Sequence, residues 1–487
     1  MEILKNILLF LANNIFNEVG ILIGLITLIG LLLQRKPIEE LIAGALRATI
    51  GIYILTIGTN IFVGGLVSFQ TIVSNAFGLT PPEATNTLGD FLGSHGGTIA
   101  LVITVAFFLH VLAVGIFKTD YVYLTGHLMF WISVLVTAAL VEQFGSLGQW
   151  ALVLPGSIIV ACYWTIQPLY LAPLMRKIIG SNDWGMGHTG SASYFIGGKL
   201  GNLVGSKKEH DTEKLSLPRQ LGFFKDVNVS TALVIGIIML ISMAFADQGV
   251  LAEQAAGYSA DIHPWVWGVV SALRFAAGIA ILLFGVRMFL AEIVPAFKGI
   301  SDKVLPGTRP ALDVPTVFPY APTAVMLGFL SAIIIFLITM VIFASIGWFV
   351  LVPSMIMLFF IPAGAAVFGN ATGGWRGAVL AGALAGLFLA IGQAITWPML
   401  SSTAPELATL ADPDWYILAW LISLLNIPFA GMSPTAGIWI VTGLIVVIFA
   451  ILLVILKRTV PSVEKEQAGE APFTREETSP PTEEDLG

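Results

Sequence analysis

The chain has 487 residues, of which 56% are apolar and only 11% are charged. Soluble domains carry about 25% charged residues, so the composition excludes a soluble protein and predicts an integral membrane protein in a lipid bilayer. The net charge of −7 says little about partners, because acidic residues crowd into the segment after residue 463. The single cysteine, Cys162, excludes a disulfide framework and a cysteine-based metal site. No P-loop, metal-binding His pair or basic nucleic-acid patch occurs in the sequence, so no cofactor and no nucleic-acid partner is predicted.

A helix needs about 20 residues to cross a bilayer, and the chain contains eleven apolar runs of about that length. A shorter apolar run, residues 415–429, ends near Pro428 and is predicted to be re-entrant. With eleven spans nearly all Lys and Arg clusters fall on one side, so the positive-inside rule places the N-terminus outside and the C-terminus in the cytoplasm. The predicted spans are residues 16–34, 45–67, 99–117, 122–141, 151–171, 228–247, 265–286, 321–345, 347–368, 377–397 and 434–456.

Two segments, residues 36–47 and 287–305, repeat apolar residues at helical spacing opposite charged ones, which predicts amphipathic helices at the cytoplasmic interface. Their similarity, with five spans on each side of a linking sixth, predicts two inverted repeats, about 1–205 and 265–456. The predicted fold is therefore an all-α polytopic membrane protein with about 11 transmembrane helices, re-entrant segments and amphipathic interface helices. Residues 457–487 are predicted to form a disordered, acidic cytoplasmic tail.

A glycine-rich stretch, residues 180–201, leaves one apolar run and becomes apolar again without spanning length. It carries His188, Thr189 and Ser191. Irregular backbone at membrane depth is tolerated only where protein or water satisfies its polar groups. The stretch is therefore predicted either to line a polar cavity or to form an ordinary cytoplasmic loop.

Further polar residues lie within or beside the apolar runs. His127 begins a helix after a charged turn, and helix N-termini attract anionic or electron-rich groups. Asp313 lies among four prolines between residues 310 and 322, which forbid a regular helix and leave carbonyl groups free. If they converge, His127, Asp313 and the polar residues of 180–201 would supply the hydrogen-bond donors, acceptors and carboxylate that a sugar-like polyol needs. His110, in mid-span, is predicted to be a hydrogen-bonded structural histidine.

Several stretches resemble the ascorbate-type enzyme IIC, the membrane component of the bacterial phosphoenolpyruvate-dependent phosphotransferase system. The resemblance covers roughly residues 1–456, and its longest block runs over residues 285–301. The other matching stretches are Leu124–Phe130, Gly187–His188, Ala311–Asp313, Ala321–Pro322 and Gly373–Arg376.

The resemblance implies a homodimeric permease of the bacterial inner membrane, with two inverted halves forming one enzyme IIC-like transmembrane domain. It implies an elevator-like movement of a substrate-carrying core against a scaffold. The substrate, L-ascorbate or a related sugar or sugar acid, would be phosphorylated as it is released. The phosphoryl group would come from a phosphocysteine on a partner IIB protein, with IIA upstream. Nothing in the chain matches IIA or IIB, so this chemistry would reside on separate chains.

Family binding positions are matched by Thr59, where the family has a serine, and by His127, His188 and Asp313. Two family glutamines fall at Trp131 and Thr189 in this sequence. Trp131 can stack on a sugar ring but cannot offer the paired donor and acceptor of an amide. The sequence therefore leaves the sugar or sugar acid open. It also leaves open an alternative function, a secondary transporter of the same fold that couples transport to an ion, without phosphorylation.

Overall fold

Helices account for nearly all the regular structure of the described chain. The computed structural model describes residues 18–79, 82–84, 86–215 and 227–460, together with 6–7, 10–11 and 14–15. The predicted acidic tail, apart from its first four residues, lies outside the described residues. In chain order the α-helices are α1 (Val19–Leu33), α2 (Ile38–Ala76), α3 (Leu88–Phe117), α4 (Gly126–Phe144), α5 (Gln149–Ile179), α6 (Ser191–Leu200), α7 (Lys207–His210), α8 (Val227–Phe245), α9 (Gln248–Ala256), α10 (Pro264–Lys303), α11 (Pro322–Ser345), α12 (Met355–Met399), α13 (Leu407–Leu410), α14 (Pro413–Asn426) and α15 (Pro434–Thr459).

Eight of these helices are long and apolar enough to cross a membrane, namely α2, α3, α4, α5, α10, α11, α12 and α15. Helix α1 and most of α8 are shorter apolar helices. Every predicted span overlaps one of these ten helices, and two of the spans fall in the single long helix α12. The all-α polytopic membrane fold is thus confirmed. Four of the helices begin with proline at the first position, where the missing N–H and fixed φ suit a helix start.

Helix α12 is broken at Gly374, which has φ +63° and ψ −154°. Such a conformation is essentially restricted to glycine. A Cβ at this position would also clash with the backbone of His210, which packs against the break. The break lies between two predicted spans, 347–368 and 377–397, so α12 consists of two helical parts that meet at Gly374.

The two amphipathic segments are parts of the long helices α2 and α10, and the prediction that they form separate interface helices is wrong. No residue at either junction interrupts the backbone hydrogen bonds, so each segment continues directly into its span. The two helices pack closely, because glycines such as Gly58 and Gly285 let the backbones meet. Near their cytoplasmic ends, by the predicted topology, Arg47 Nη1 lies 3.2 Å from Glu292 Oε1.

A small parallel sheet, which the sequence did not predict, joins three distant parts of the chain. Its strands are β1 (Tyr121–Tyr123), β2 (Gly185–Met186) and β3 (Arg309–Leu312), in the order β1-β3-β2. Tyr121 pairs with Arg309, and Met186 pairs with Leu312. The carboxyl ends of parallel strands meet at one edge of a sheet, and ligands bind beyond this edge in open α/β sheets. The sheet therefore brings the segments that follow its three strands to one place.

Candidate functional site

Each strand of the sheet ends a few residues before a polar side chain that the sequence singles out. His127 follows β1, His188 follows β2, and Asp313 follows β3 directly. These three residues line a cavity of about 490 Å³. The same cavity is lined by Thr59 from α2 and by Trp131 from α4. Five of the six predicted site residues are therefore brought together, although they are spread over more than half of the chain.

Asp313 lies between the two imidazoles. Its Oδ2 is 3.6 Å from His127 Nε2, and its Oδ1 is 3.7 Å from His188 Nε2. Both separations are longer than a hydrogen bond, and a ligand hydroxyl or a water molecule beside each pair can bridge its two groups. Asp313 Oδ1 also accepts a hydrogen bond of 2.7 Å from the Val314 amide, which fixes the carboxylate at the edge of the sheet.

The contacts of Nδ1, the ring nitrogen of His188 that does not face Asp313, fix the ring in its neutral form. His188 Nδ1 accepts a hydrogen bond of 2.8 Å from the Gly190 amide and lies 2.9 Å from the Tyr194 hydroxyl. A backbone amide can only donate, so Nδ1 must carry a lone pair and the ring proton must be on Nε2. Burial lowers the pKa of His188, which favours the same neutral form. His188 therefore presents an N–H donor towards Asp313 and the cavity.

Thr189, the sixth predicted site residue, does not line the cavity. Its side chain is fully buried, and its hydroxyl donates a hydrogen bond to Asp412 Oδ2. Ser191 is placed similarly, because its hydroxyl donates to Asp414. These two hydroxyls connect the glycine-rich stretch to the start of α14. By contrast, the hydroxyl oxygen of Thr59 is buried and has no hydrogen-bond partner among the described residues.

Two buried carboxyl groups, Asp412 and Asp414, belong to this region and were missed by the sequence reasoning. Asp412 lines the cavity, and burial raises the pKa of its carboxyl to about 8. Asp414 holds α14 against the N-terminus of α6: its carboxylate accepts from the Ala192 amide at 2.8 Å and from the Tyr163 hydroxyl at 2.6 Å. Both aspartates precede the predicted re-entrant run and lie outside the predicted spans, where an ionisable residue is not in itself a sign of function. Two acids around a proline at the start of an apolar run are a helix-start signal that could have drawn attention to them.

Two tryptophans form an aromatic wall of the cavity. The rings of Trp131 and Trp415 stack with centroids 6.2 Å apart and planes at 27°. Indole faces of this kind bind the apolar face of a sugar ring, while the polar groups opposite can bind its hydroxyls. The cavity therefore combines stacking surfaces, an imidazole donor and carboxyl groups, which is a set suited to a small polyhydroxylated ligand.

His110 serves the structure of the region rather than the cavity. Its Nε2 accepts a hydrogen bond of 2.9 Å from the Tyr123 amide in β1, and its Nδ1 lies 2.9 Å from the Thr165 hydroxyl. Both ring nitrogens are thus engaged, as predicted for a structural histidine. The histidine helps to fix β1, and through it the position of His127.

The chain as a whole is similar to known proteins. The EIIC-GAT family model, described as the PTS system sugar-specific permease component, matches residues 14–414. The ascorbate-specific PTS system EIIC component of Mycoplasma pneumoniae is 27% identical over 417 residues. That match covers 76% of this chain and 63% of the Mycoplasma protein, so the chain spans less than two thirds of the length of this relative.

Proposed function

We propose, since the chain belongs to the EIIC-GAT family of sugar-specific permease components of the phosphotransferase system, that it carries L-ascorbate or a related sugar or sugar acid across the bacterial inner membrane. The substrate is phosphorylated as it is released, by a partner IIB protein that is itself supplied by IIA. The protein functions as a homodimer, with its N-terminus outside and its C-terminus in the cytoplasm.

The observation that carries this proposal is the position of Asp313 between His127 and His188 in a cavity with tryptophan walls. A sugar or sugar acid can place a hydroxyl between a carboxylate and an imidazole N–H and can stack its ring on Trp131. Thr59 from α2 also lines the cavity, and its hydroxyl has no hydrogen-bond partner in the described part of the chain. Binding sites for small polar molecules commonly combine apolar walls with a few placed polar groups in this way.

The charge of the cavity supports phosphorylation outside it. No Lys or Arg is among the described residues that line the cavity, whereas Glu18, Asp313 and Asp412 are. A phosphorylated sugar carries close to two negative charges at neutral pH, so its phosphate would face carboxyl groups and no fixed cation. Phosphoryl transfer at the cytoplasmic mouth therefore lowers the affinity of the cavity for its product and favours release.

The placement of the cavity supports an elevator-like movement. One wall comes from α1, α2 and the Phe289 region of α10, helices that pack against one another. The other wall comes from the segments after the sheet strands, with α4, α12 and α14. A cavity between two such groups of helices can change its exposure when one group slides along the other. In this proposal the sheet moves together with Asp313 and Asp412 as the substrate-carrying core.

Vesicles that contain the purified protein test this proposal. They are supplied with labelled L-ascorbate and, inside, with the cognate IIA and IIB proteins, the general soluble phosphotransferase components and phosphoenolpyruvate. We expect the label to accumulate as a phosphate ester only when all these components are present. Uptake of unmodified substrate at the same rate without phosphoenolpyruvate and the soluble proteins would contradict phosphotransfer and support the ion-coupled transporter of the same fold.

A further inference from the structure

Asp412 and Asp414 are both buried, but they differ in the hydrogen bonds that they receive. The Asp414 carboxylate accepts from the Ala192 amide, the Tyr163 hydroxyl and the Ser191 hydroxyl. Among the interactions described for Asp412, its side chain accepts only from the Thr189 hydroxyl. A buried ionised carboxylate is stable only when it is paired or well hydrogen-bonded. Asp414 meets this condition better than Asp412, although burial raises the pKa of the Asp414 carboxyl as well, to about 7.

The nearest imidazole does not provide Asp412 with a cation. His188 Nδ1 lies 3.8 Å from Asp412 Oδ2, a separation at which a protonated histidine would form an ion pair. That nitrogen, however, accepts the Gly190 amide and therefore carries a lone pair. An ionised Asp412 would face this lone pair and would be repelled by it. A protonated Asp412 carboxyl would not be.

The other titratable groups around Asp412 do not supply a positive charge either. Asp313 and Asp414 act on its carboxyl through their own negative charges. Its other titratable neighbours are phenols, and the half-exposed His127 lies beside Asp313, with Nε2 3.6 Å from Asp313 Oδ2. No Lys or Arg is found among the cavity-lining residues that the structure describes. The groups that surround it are His188 before α6, Tyr194 in α6, Asp313 after β3, Asp414 and Tyr416 in α14, His127 in α4, and Tyr123 in β1.

We propose that Asp412 is a proton-binding site whose occupancy decides whether the cavity admits an anionic substrate. With the proton bound, one of the two aspartates that line the cavity is neutral, only Asp313 of the pair carries a charge, and a sugar acid anion can bind. Without the proton, a second buried carboxylate faces the substrate and repels it. This inference rests on the proposed function, and it specifies that a sugar acid enters the site together with a proton on Asp412.

Binding of L-ascorbate to the purified full-length protein tests the inference, over a range from about pH 6 to about pH 9 that brackets a raised carboxyl pKa. In the wild type we expect the affinity to fall on the alkaline side, approaching tenfold per pH unit as one proton is lost. Asp412→Asn imitates the protonated carboxyl in shape and charge, so this fall should disappear. In His127→Gln, which removes the half-exposed imidazole of the cavity, the fall should persist. An unchanged pH dependence in Asp412→Asn, or none in the wild type, would overturn the proposal.

A second readout needs no substrate. Infrared difference spectra between the wild type and Asp412→Asn at neutral pH should contain a protonated carboxyl C=O band that converts to carboxylate bands at alkaline pH. If this band is absent, Asp412 does not bind a proton and the proposal is overturned. If the band is present but ascorbate does not bind at any pH, the link between the proton and an anionic substrate is overturned. Both readouts are independent of IIB, so a failure of phosphoenolpyruvate-dependent uptake would contradict the proposed function and leave this result standing.

Discussion

His188 Nε2 lies 3.7 Å from Asp313 Oδ1, across a gap that is too wide for a direct hydrogen bond. The tautomer of His188 is fixed by the Gly190 amide, so this gap has an N–H donor on one side and a carboxylate on the other. A ligand hydroxyl beside the two groups can accept a hydrogen bond from His188 Nε2–H and donate one to the Asp313 carboxylate at the same time. The relationship depends on the sheet, because β2 and β3 are neighbours in it and lead into these two residues.

The aromatic wall leads to a prediction for Trp131. Replacing Trp131 by alanine removes an indole face from the cavity, and we expect substrate affinity to fall about fivefold or more, or about 1 kcal/mol. Trp131→Phe keeps an aromatic face and should lose less. Equilibrium binding to the purified variants measures both changes.

Trp150 is a matched control for this change, since it is 60% exposed at the start of α5 and does not line the cavity. Trp150→Ala should therefore leave the affinity unchanged. Equal losses in Trp131→Ala and Trp150→Ala would show that Trp131 has no specific part in binding.

The buried hydroxyl of Thr189 is predicted to support the fold rather than to touch substrate. Thr189→Val removes the hydroxyl that donates to Asp412, and we expect the free energy of unfolding to fall by about 1–3 kcal/mol. Thr189→Ser keeps the hydroxyl and should retain most of the stability. Thermal unfolding in detergent compares the two, and a Thr189→Val variant as stable as the wild type would contradict the role of the hydroxyl.

The break in α12 leads to a prediction for Gly374. An alanine there must adopt a conformation that is essentially restricted to glycine and must displace the backbone of His210, so Gly374→Ala should destabilise the protein by about 1–3 kcal/mol or more. Gly96→Ala in α3 is the control, because a Cβ at Gly96 would meet no atom within 4 Å. That control should be neutral or stabilise the helix slightly, and similar melting temperatures for both variants would contradict the argument.

The sequence predicted the helices well because a membrane span is a long and strong signal. Residues such as His127, His188 and Asp313 were predicted on their chemistry and on a resemblance, and the structure places them together. Their convergence could not be predicted, because it depends on strands of two to four residues that are too short for any periodicity.

Asp412 and Thr189 show a second limit. An acid next to a proline at a helix start has an ordinary structural explanation, and only the fold reveals that α14 returns to the edge of the sheet. Thr189 was predicted as a site residue because a family glutamine falls at this position, yet its hydroxyl donates to Asp412 and Thr189 is not among the residues that line the cavity. Side-chain direction after an irregular stretch cannot be read from spacing, because spacing predicts direction only in regular helices and strands.

If the cavity at the edge of the sheet is the sugar-binding site, the Asp313 carboxylate must contribute to substrate affinity. Replacing Asp313 therefore tests the position of the site directly. The purified protein is first screened for binding of L-ascorbate and related sugars and sugar acids. The affinity of the ligand that binds is then measured for the Asp313→Asn variant. We expect the variant to bind at least tenfold more weakly, a loss of about 1.4 kcal/mol or more. Asp261→Asn, a change at an exposed residue between α9 and α10, should bind as the wild type does. Unchanged affinity in Asp313→Asn would remove Asp313 from the site and contradict the account.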